Sequence, residues 1–337
     1  MLRKLIIGLG LNVSSELSKT EKRRVLHKYY KNEFDLEPLL QITSRNDFPN
    51  REFGFFTLDE KFLRNFSFKT PSNLRDFLIQ RTPLSAYVGA VFDAPPTAEK
   101  RIHQLHWIRR EFIIDLDLTD YDAIRPDYCG CRGADQVCSK CWGIIQDAIW
   151  FLTETLEKDF GLKNIRWFFS GRRGVHAWII DPQTSRSNTE QRASIVEYFS
   201  LVRGEEIYLE GSDVFKTRVF DYIIQSFLLK ADRRDLKKMK ITEPYWLRKV
   251  IETQDLETIK IRRRKFREIM QKQSEETKAL ILKYRSPRID RKCSIDINRL
   301  LRMPGSIHGV TGKICRKLSW EEIKTFNPLT EPSIFEV

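Results

Sequence analysis

Residues 111–118, EFIIDLDL, constrain this chain more than any other segment. Phe112, Ile114, Leu116 and Leu118 alternate with Glu111, Ile113, Asp115 and Asp117, the period-two pattern of a strand. One face is wholly apolar and must be buried in a sheet. The other projects two carboxylates to the same side, and these repel unless a cation lies between them. That arrangement suits one or two Mg²⁺ or Mn²⁺ ions, which prefer carboxylate and water oxygens. A solvated edge strand would also carry D-x-D, but the apolar opposite face draws this strand into a sheet. Asp120 and Asp122 follow in a turn and read as structural.

The flanking segments supply the rest of an α/β (α+β) architecture with mixed, mainly antiparallel sheets. Residues 20–33 form a basic amphipathic helix with Val25, Leu26 and Tyr29 on one side. Residues 51–69 alternate aromatics around a Leu-Asp-Glu-Lys break, as a hairpin does. Residues 86–92 read as a strand. Residues 142–160 place Ile145, Ile149, Leu152 and Leu156 on one helical face, with Gly161 as C-cap. Strands at 165–169 and 175–180 flank a turn at 170–174. Residues 190–285 are mostly helical and very basic, and residues 286–312 are rich in turn formers. The domain reading is a lead-in at 1–19, a core at 20–204, a helical insertion lobe at 205–285 and the rest of the core at 286–337.

Lys and Arg outnumber Asp and Glu by 59 to 46, and the net charge of +13 favours a polyanionic partner. A segment of ~20 apolar residues would be needed to span a membrane, and none occurs. The N-terminal apolar run is short, contains glycines and lacks a small-residue cleavage site, so it is not read as a signal peptide.

Cys129, Cys131, Cys138 and Cys141 follow the pattern C-x-C-x6-C-x2-C. In an intracellular protein, four thiols this close point to metal rather than disulfides, and four thiolates close a tetrahedral structural zinc site. A redox pair or unligated thiols are the alternatives. Cys293 and Cys315 are read as ordinary residues.

Two basic turns complete the candidate chemistry. Ser170, Arg172, Arg173 and His176 share a glycine-bearing turn between apolar strands, with donors suited to a triphosphate. Arg299, Arg302, Ser306 and His308 lie around a Pro-Gly turn; the two arginines would share a face if that turn were helical. Asp290 or Asp296, just upstream, could complete a cluster with Asp115 and Asp117.

In this order, an Arg-Glu-Phe strand, hydrophobic-Asp-x-Asp with Thr-Asp-Tyr-Asp, the cysteine cluster, Ser-Gly-Arg-Arg-Gly-Val-His and Arg-Leu-Leu-Arg-x-Pro-x-Ser-x-His-Gly resemble the small catalytic subunit of archaeo-eukaryotic DNA primase. The resemblance runs from about Thr20 to Lys313 and is weakest over 205–285. It implies a primase-type core with a zinc knuckle and a helical insertion. It implies Asp115, Asp117 and Asp290 as ligands of catalytic Mg²⁺ or Mn²⁺, with Asp296 as runner-up. Ser170, Arg172, Arg173, His176, Arg302 and His308 match nucleotide ligands, and Glu52 and Arg64 match a hairpin near the site. Gly130 separates Cys129 from Cys131 where some members have adjacent cysteines.

The implied activity is template-directed synthesis of short RNA, or DNA, primers on single-stranded DNA, from nucleoside triphosphates with pyrophosphate release. Implied partners are a primase large subunit, the template and a replication polymerase or helicase machinery, in the cytoplasm and nucleoid of an archaeon or in a nucleus. The length fits archaeal members. Any iron–sulfur cluster would belong to the large subunit, because two cysteines remain after the zinc set. Competing readings are a primase-like polymerase of end joining or lesion bypass, a non-catalytic zinc-containing nucleic-acid-binding module and a metal-dependent phosphodiesterase.

Overall fold

The structure, a computed structural model, describes residues 17–203, 206, 207, 215, 218, 219, 222, 282, 283 and 285–336. The lead-in up to residue 16 and nearly all of the expected insertion lobe lie outside the described residues. Every strand pairing among the described residues is antiparallel.

The first helix, α1 (Lys19–Asn32), starts where Ser18 and Glu21 form a capping box. It buries Leu26, Tyr29 and Tyr30, while Val25 is only half-buried. The aromatic hairpin follows as β1 (Arg51–Phe56) and β2 (Phe62–Phe66). After α2 (Pro71–Arg81) comes β3 (Ser85–Phe92), which pairs with β1, with the short β4 (Trp107–Arg109) and with β10 (Leu301–Arg302). The first sheet therefore runs β10-β3-β1-β2, with β4 attached to β3.

The second sheet is built on β5 (Phe112–Asp117), the strand read first from the sequence. Its order is β11-β6-β7-β5, with β6 (Ile165–Phe169), β7 (Gly174–Ile179) and β11 (Lys317–Leu318). The short helix α3 (Arg125–Cys129) and the long helix α4 (Ser139–Phe160) lie between β5 and β6. Cys138 caps α4, so the helix begins three residues before the expected 142, and Gly161 closes it in the left-handed conformation. Next come α5 (Thr189–Phe199), a small ribbon of β8 (Val202–Arg203) and β9 (Glu206–Ile207), α6 (Arg291–Ile295) and α7 (Trp320–Thr325).

Alternation along β5 divides the core. Phe112, Ile114, Leu116 and Leu118 join Ile145, Ile149, Leu152 and Leu156 of α4 in one apolar cluster. Each such side chain contributes ~1.5–3 kcal/mol on full burial. Ile113, on the other face, joins Trp178, Phe168 and the aromatic layer under the first sheet. Asp115 and Asp117 share the face of Ile113 but lie farther along the strand, where the apolar packing stops and a cleft opens. Arg51 fastens the sheets together: fully buried, it donates to both oxygens of Glu111 at 2.7 and 2.9 Å and to the Gly89 carbonyl at 2.8 Å.

Candidate active site and cysteine cluster

A cleft of about 270 Å³ lies where the two sheets meet, lined by Tyr87, Asp115, Asp117, Ser170, Arg172, Arg173, His176, Cys293, Arg299, Leu300, Leu301, Arg302 and His308. Three separate stretches of the sequence, read as an acidic strand and two basic turns, thus share one wall-to-wall site.

The acidic side is set by β5. Asp115 stands opposite His176 across the β5–β7 ladder, with His176 Nε2 3.6 Å from its carboxylate. The next carboxylate on that face, Asp117, accepts from Arg173 Nε at 2.6 Å and from the Thr119 backbone and hydroxyl at 2.8 Å. Of the two candidates for a third carboxylate, Asp290 is the one brought alongside: its backbone N–H donates to the Asp115 carbonyl at 3.0 Å. One oxygen of Asp290 caps α6 by accepting from Lys292 and Cys293 N–H. Asp296 instead ends α6, accepting from Asn298 N–H, while its carbonyl takes a 2.8 Å hydrogen bond from the buried Arg110.

Electrostatics expose the cost of this gathering. Burial, then the charges of Asp117, Asp290 and Asp120, push the Asp115 carboxyl up to about 8. Asp120 is raised to about 6, first by partial desolvation and then by Asp117 and Asp290. Asp120 is exposed and is not among the residues that line the cleft. Asp122 does serve structure, accepting from Arg125 and from Gly133 N–H.

The basic side comes from two turns that interlock. Gly171 has a φ of +94°, and a Cβ there would lie 2.6 Å from the His308 Cβ, so only glycine allows this approach. The Thr311 hydroxyl donates to the Gly171 carbonyl at 2.6 Å, stitching the turns together. Burial comes first, and the neighbouring arginines next, in holding His308 down to about 3; His176 is lowered to about 3 by burial and Arg302. Both are neutral imidazoles in a cleft whose positive charge comes from guanidinium groups. Arg302 is positioned by the Ser85 hydroxyl at 2.8 Å and the Ile307 carbonyl at 3.1 Å. Its segment is extended as β10, not helical, yet Arg299 and Arg302 both reach the cleft.

Glu52 and Arg64 are not among the lining residues. Fully buried Glu52 takes two hydrogen bonds from Arg64, each 2.9 Å, and Arg64 donates to the Asn298 carbonyl at 2.9 Å. This pair braces the chain entering Arg299 and Arg302 rather than facing the cleft. Tyr87 and Cys293 line the cleft without having been singled out from the sequence.

The four cysteines converge as their spacing implies. Their sulfurs all lie within 4.8 Å of one another, and the Cys138 and Cys141 sulfurs are 3.8 Å apart. Sulfurs at ~2.3 Å from a tetrahedral zinc would be separated by about this distance. Gly130, at φ +80°, reverses the chain after α3 and turns both Cys129 and Cys131 inward despite the single residue between them. Arg125, buried beneath the loop, donates to the carbonyls of Leu118, Gly133 and Gln136. The loop also touches the cleft, because Asp135 pairs with Arg172. Among the described residues this quartet is the only His, Cys, Asp and Glu group whose donor atoms crowd so closely; the aspartates are spread more widely. Among them, too, no helix is long and apolar enough to cross a membrane.

Comparison with known proteins agrees with this geometry. The family description "DNA primase small subunit" matches residues 114–320, from β5 through the second basic turn to α7. The chain is 27% identical to the DNA primase small subunit of Schizosaccharomyces pombe, over 91% of this chain and 75% of that protein. It is 28% identical to the DNA primase small subunit of Drosophila melanogaster, over 93% and 80%. Archaeoglobus fulgidus contributes a third relative, DNA primase small subunit PriS, 28% identical over 95% and 85%. With its acidic strand, its paired basic turns and its cysteine loop all inside the matched span, this chain belongs to the DNA primase small subunit family.

Proposed function

We propose that the cleft joins nucleotides on a single-stranded DNA template by metal-assisted nucleotidyl transfer, as the catalytic subunit of a DNA primase. The observation that carries this reading is the meeting of Asp115 and Asp117 with Arg172, Arg173, Arg302 and His308 in one cleft. Carboxylates alone would suit many metal sites, and arginines alone many anion sites; a metal-bound triphosphate needs both.

Asp115, Asp117 and Asp290 fit Mg²⁺ or Mn²⁺. Their oxygens suit hard cations, and the raised Asp115 carboxyl marks negative charge that a cation would offset. Such ions, when bound, activate an attacking 3′-hydroxyl and stabilise the departing pyrophosphate. Arg172, Arg173 and Arg302 hold the triphosphate by charge-assisted hydrogen bonds, and Ser170 adds a hydroxyl donor. His176 and His308, neutral at physiological pH, donate or accept one hydrogen bond each without adding charge. Glu52 and Arg64 keep the Arg299–Arg302 segment in register. The cysteine quartet holds structural Zn²⁺ beside Arg172. The basic surface tracks the template, and a large subunit completes the enzyme in the cell.

The test incubates purified protein with single-stranded DNA, labelled nucleotides and Mn²⁺, with and without a primer. Products on the unprimed template are expected. Extension of primers alone would support a gap-filling polymerase instead, and loss of labelled template without product growth would support a phosphodiesterase.

A further inference from the structure

The helix α1 carries six Lys or Arg and one Glu over its fourteen residues. Its inner face is used in packing: Leu26, Tyr29 and Tyr30 are buried, and the Tyr29 hydroxyl donates to the Gly305 carbonyl at 2.8 Å, in the turn that leads to His308. The outer face is different. Arg24, Lys28 and Lys31 are exposed, and their spacing of i, i+4 and i+7 sets them in one row along the helix. Arg75 of α2 lies at the end of that row, where its guanidinium donates to the Lys31 carbonyl at 3.2 Å.

No carboxylate among the described residues pairs with Arg24, Lys28 or Lys31. The acidic groups nearest in sequence and space are engaged elsewhere: Glu21 accepts from the Ser18 N–H and hydroxyl, and Asp59 pairs with Lys19. Like charges one turn apart destabilise a helix. A row that weakens its own helix, with no compensating partner in the described fold, marks a surface kept for a ligand. From Arg24 to Lys31 the row spans ~10 Å, at 1.5 Å of rise per residue. A single phosphate would meet only part of it, so the ligand carries several negative charges in a line. No large apolar side chain of α1 is exposed, which leaves a protein partner no anchor to bury and leaves a nucleic-acid base nothing to stack on. Phosphates in a chain fit the row.

We propose that the outer face of α1 binds the phosphate backbone of single-stranded DNA, as an anchor separate from the cleft. The proposal rests on the reading of the protein as acting on a DNA template. None of Arg24, Lys28, Lys31 and Arg75 lines the cleft, so the anchor holds the strand without taking part in nucleotide joining. A strand held at one point reaches a second site as an intramolecular event, which raises its occupancy there. Phosphate contacts carry no sequence information, so the anchor serves any template.

The test compares wild-type protein with a triple variant, Arg24→Gln, Lys28→Gln and Lys31→Gln, by fluorescence anisotropy of a labelled single-stranded oligonucleotide across a salt series. Glutamine is as good a helix former as arginine or lysine, and the unfolding midpoint should not fall. The triple variant should bind about tenfold or more weakly at low salt, alike for oligonucleotides of different sequence. Its plot of log affinity against log salt should be shallower by ~2, from three lost phosphate contacts at ~0.7 each. Lys28→Gln alone should show about a third of that change. At saturating DNA, nucleotide incorporation should stay within about twofold of wild type. Affinity and salt slope both unchanged in the triple variant overturn the proposal, and so does a loss of incorporation that saturating DNA does not restore. Intact DNA binding with lost binding to poly-glutamate would assign the face to an acidic protein and overturn it as well. Failure of the wild-type protein to bind single-stranded DNA at all would defeat the template reading itself, a result distinct from the others.

Discussion

Asp115 concentrates the electrostatic strain of the site in one side chain. Its carboxyl, held near 8 by burial and by Asp117, Asp290 and Asp120, keeps a proton in the folded protein that the unfolded chain releases near the ordinary value of 3.8. Between those limits the folded state binds more protons, so this group's contribution to stability falls as pH rises from about 4 to about 8. Above the folded value the contribution is lost in full. In Asp115→Asn that dependence disappears. In metal-free buffer, thermal unfolding should therefore show the variant gaining on wild type as pH goes from 5 to 8. Mn²⁺ at pH 8 should raise the wild-type midpoint more than the variant's, because a cation stabilises the charged carboxylate only when folding has assembled its neighbours. Midpoint differences equal at pH 5 and pH 8 would contradict the account. Asp117 differs from Asp115 in already having Arg173 and Thr119 as partners.

At the scale of elements, the cysteine loop is more than an appendage of α4. Cys138 caps the helix, Arg125 holds the loop from beneath and Asp135 reaches Arg172 at the cleft. Zinc at this position would fix one end of the first basic turn. Elemental analysis should find about one zinc per chain, from the four-thiolate stoichiometry. Cys138→Ser should lower the unfolding midpoint and raise the nucleotide KM by a few-fold. The rise in KM is modest because the Asp135–Arg172 pair is exposed, and such pairs are worth ~0–1 kcal/mol. Absence of zinc, together with an unchanged midpoint in Cys138→Ser, would remove the loop from this role. The two basic turns behave as one unit for a different reason: Gly171 lets His308 pack against its backbone, and Thr311 closes the contact.

Across the whole molecule, what was legible in the sequence depended on whether neighbours along the chain decided it. Period-two alternation located β5 with its carboxylates and its apolar face, and Gly161 marked the end of α4. Cysteine spacing brought four thiols together on paper before the fold did. Features decided across the fold were opaque. Tyr87 sits in the run AYVGAVF, where a strand covered on both faces shows no alternation to mark which side chain lines the cleft. Glu52 finds its role through Arg64 and then Asn298, 234 residues from that arginine. The strand β10, two residues long, is too short to leave a pattern. Asp290 likewise comes alongside Asp115 through a backbone hydrogen bond that no local pattern announces.

The most direct test of the molecule as a metal-dependent nucleotide-joining enzyme is nucleotide incorporation by Asp115→Asn on single-stranded DNA at saturating Mn²⁺, once its unfolding midpoint is shown to match or exceed wild type. Loss of a metal-binding carboxylate from the reacting centre should lower kcat by about a thousandfold or more, ~4 kcal/mol in barrier. Incorporation within about threefold of wild type by this well-folded variant would contradict the central claim.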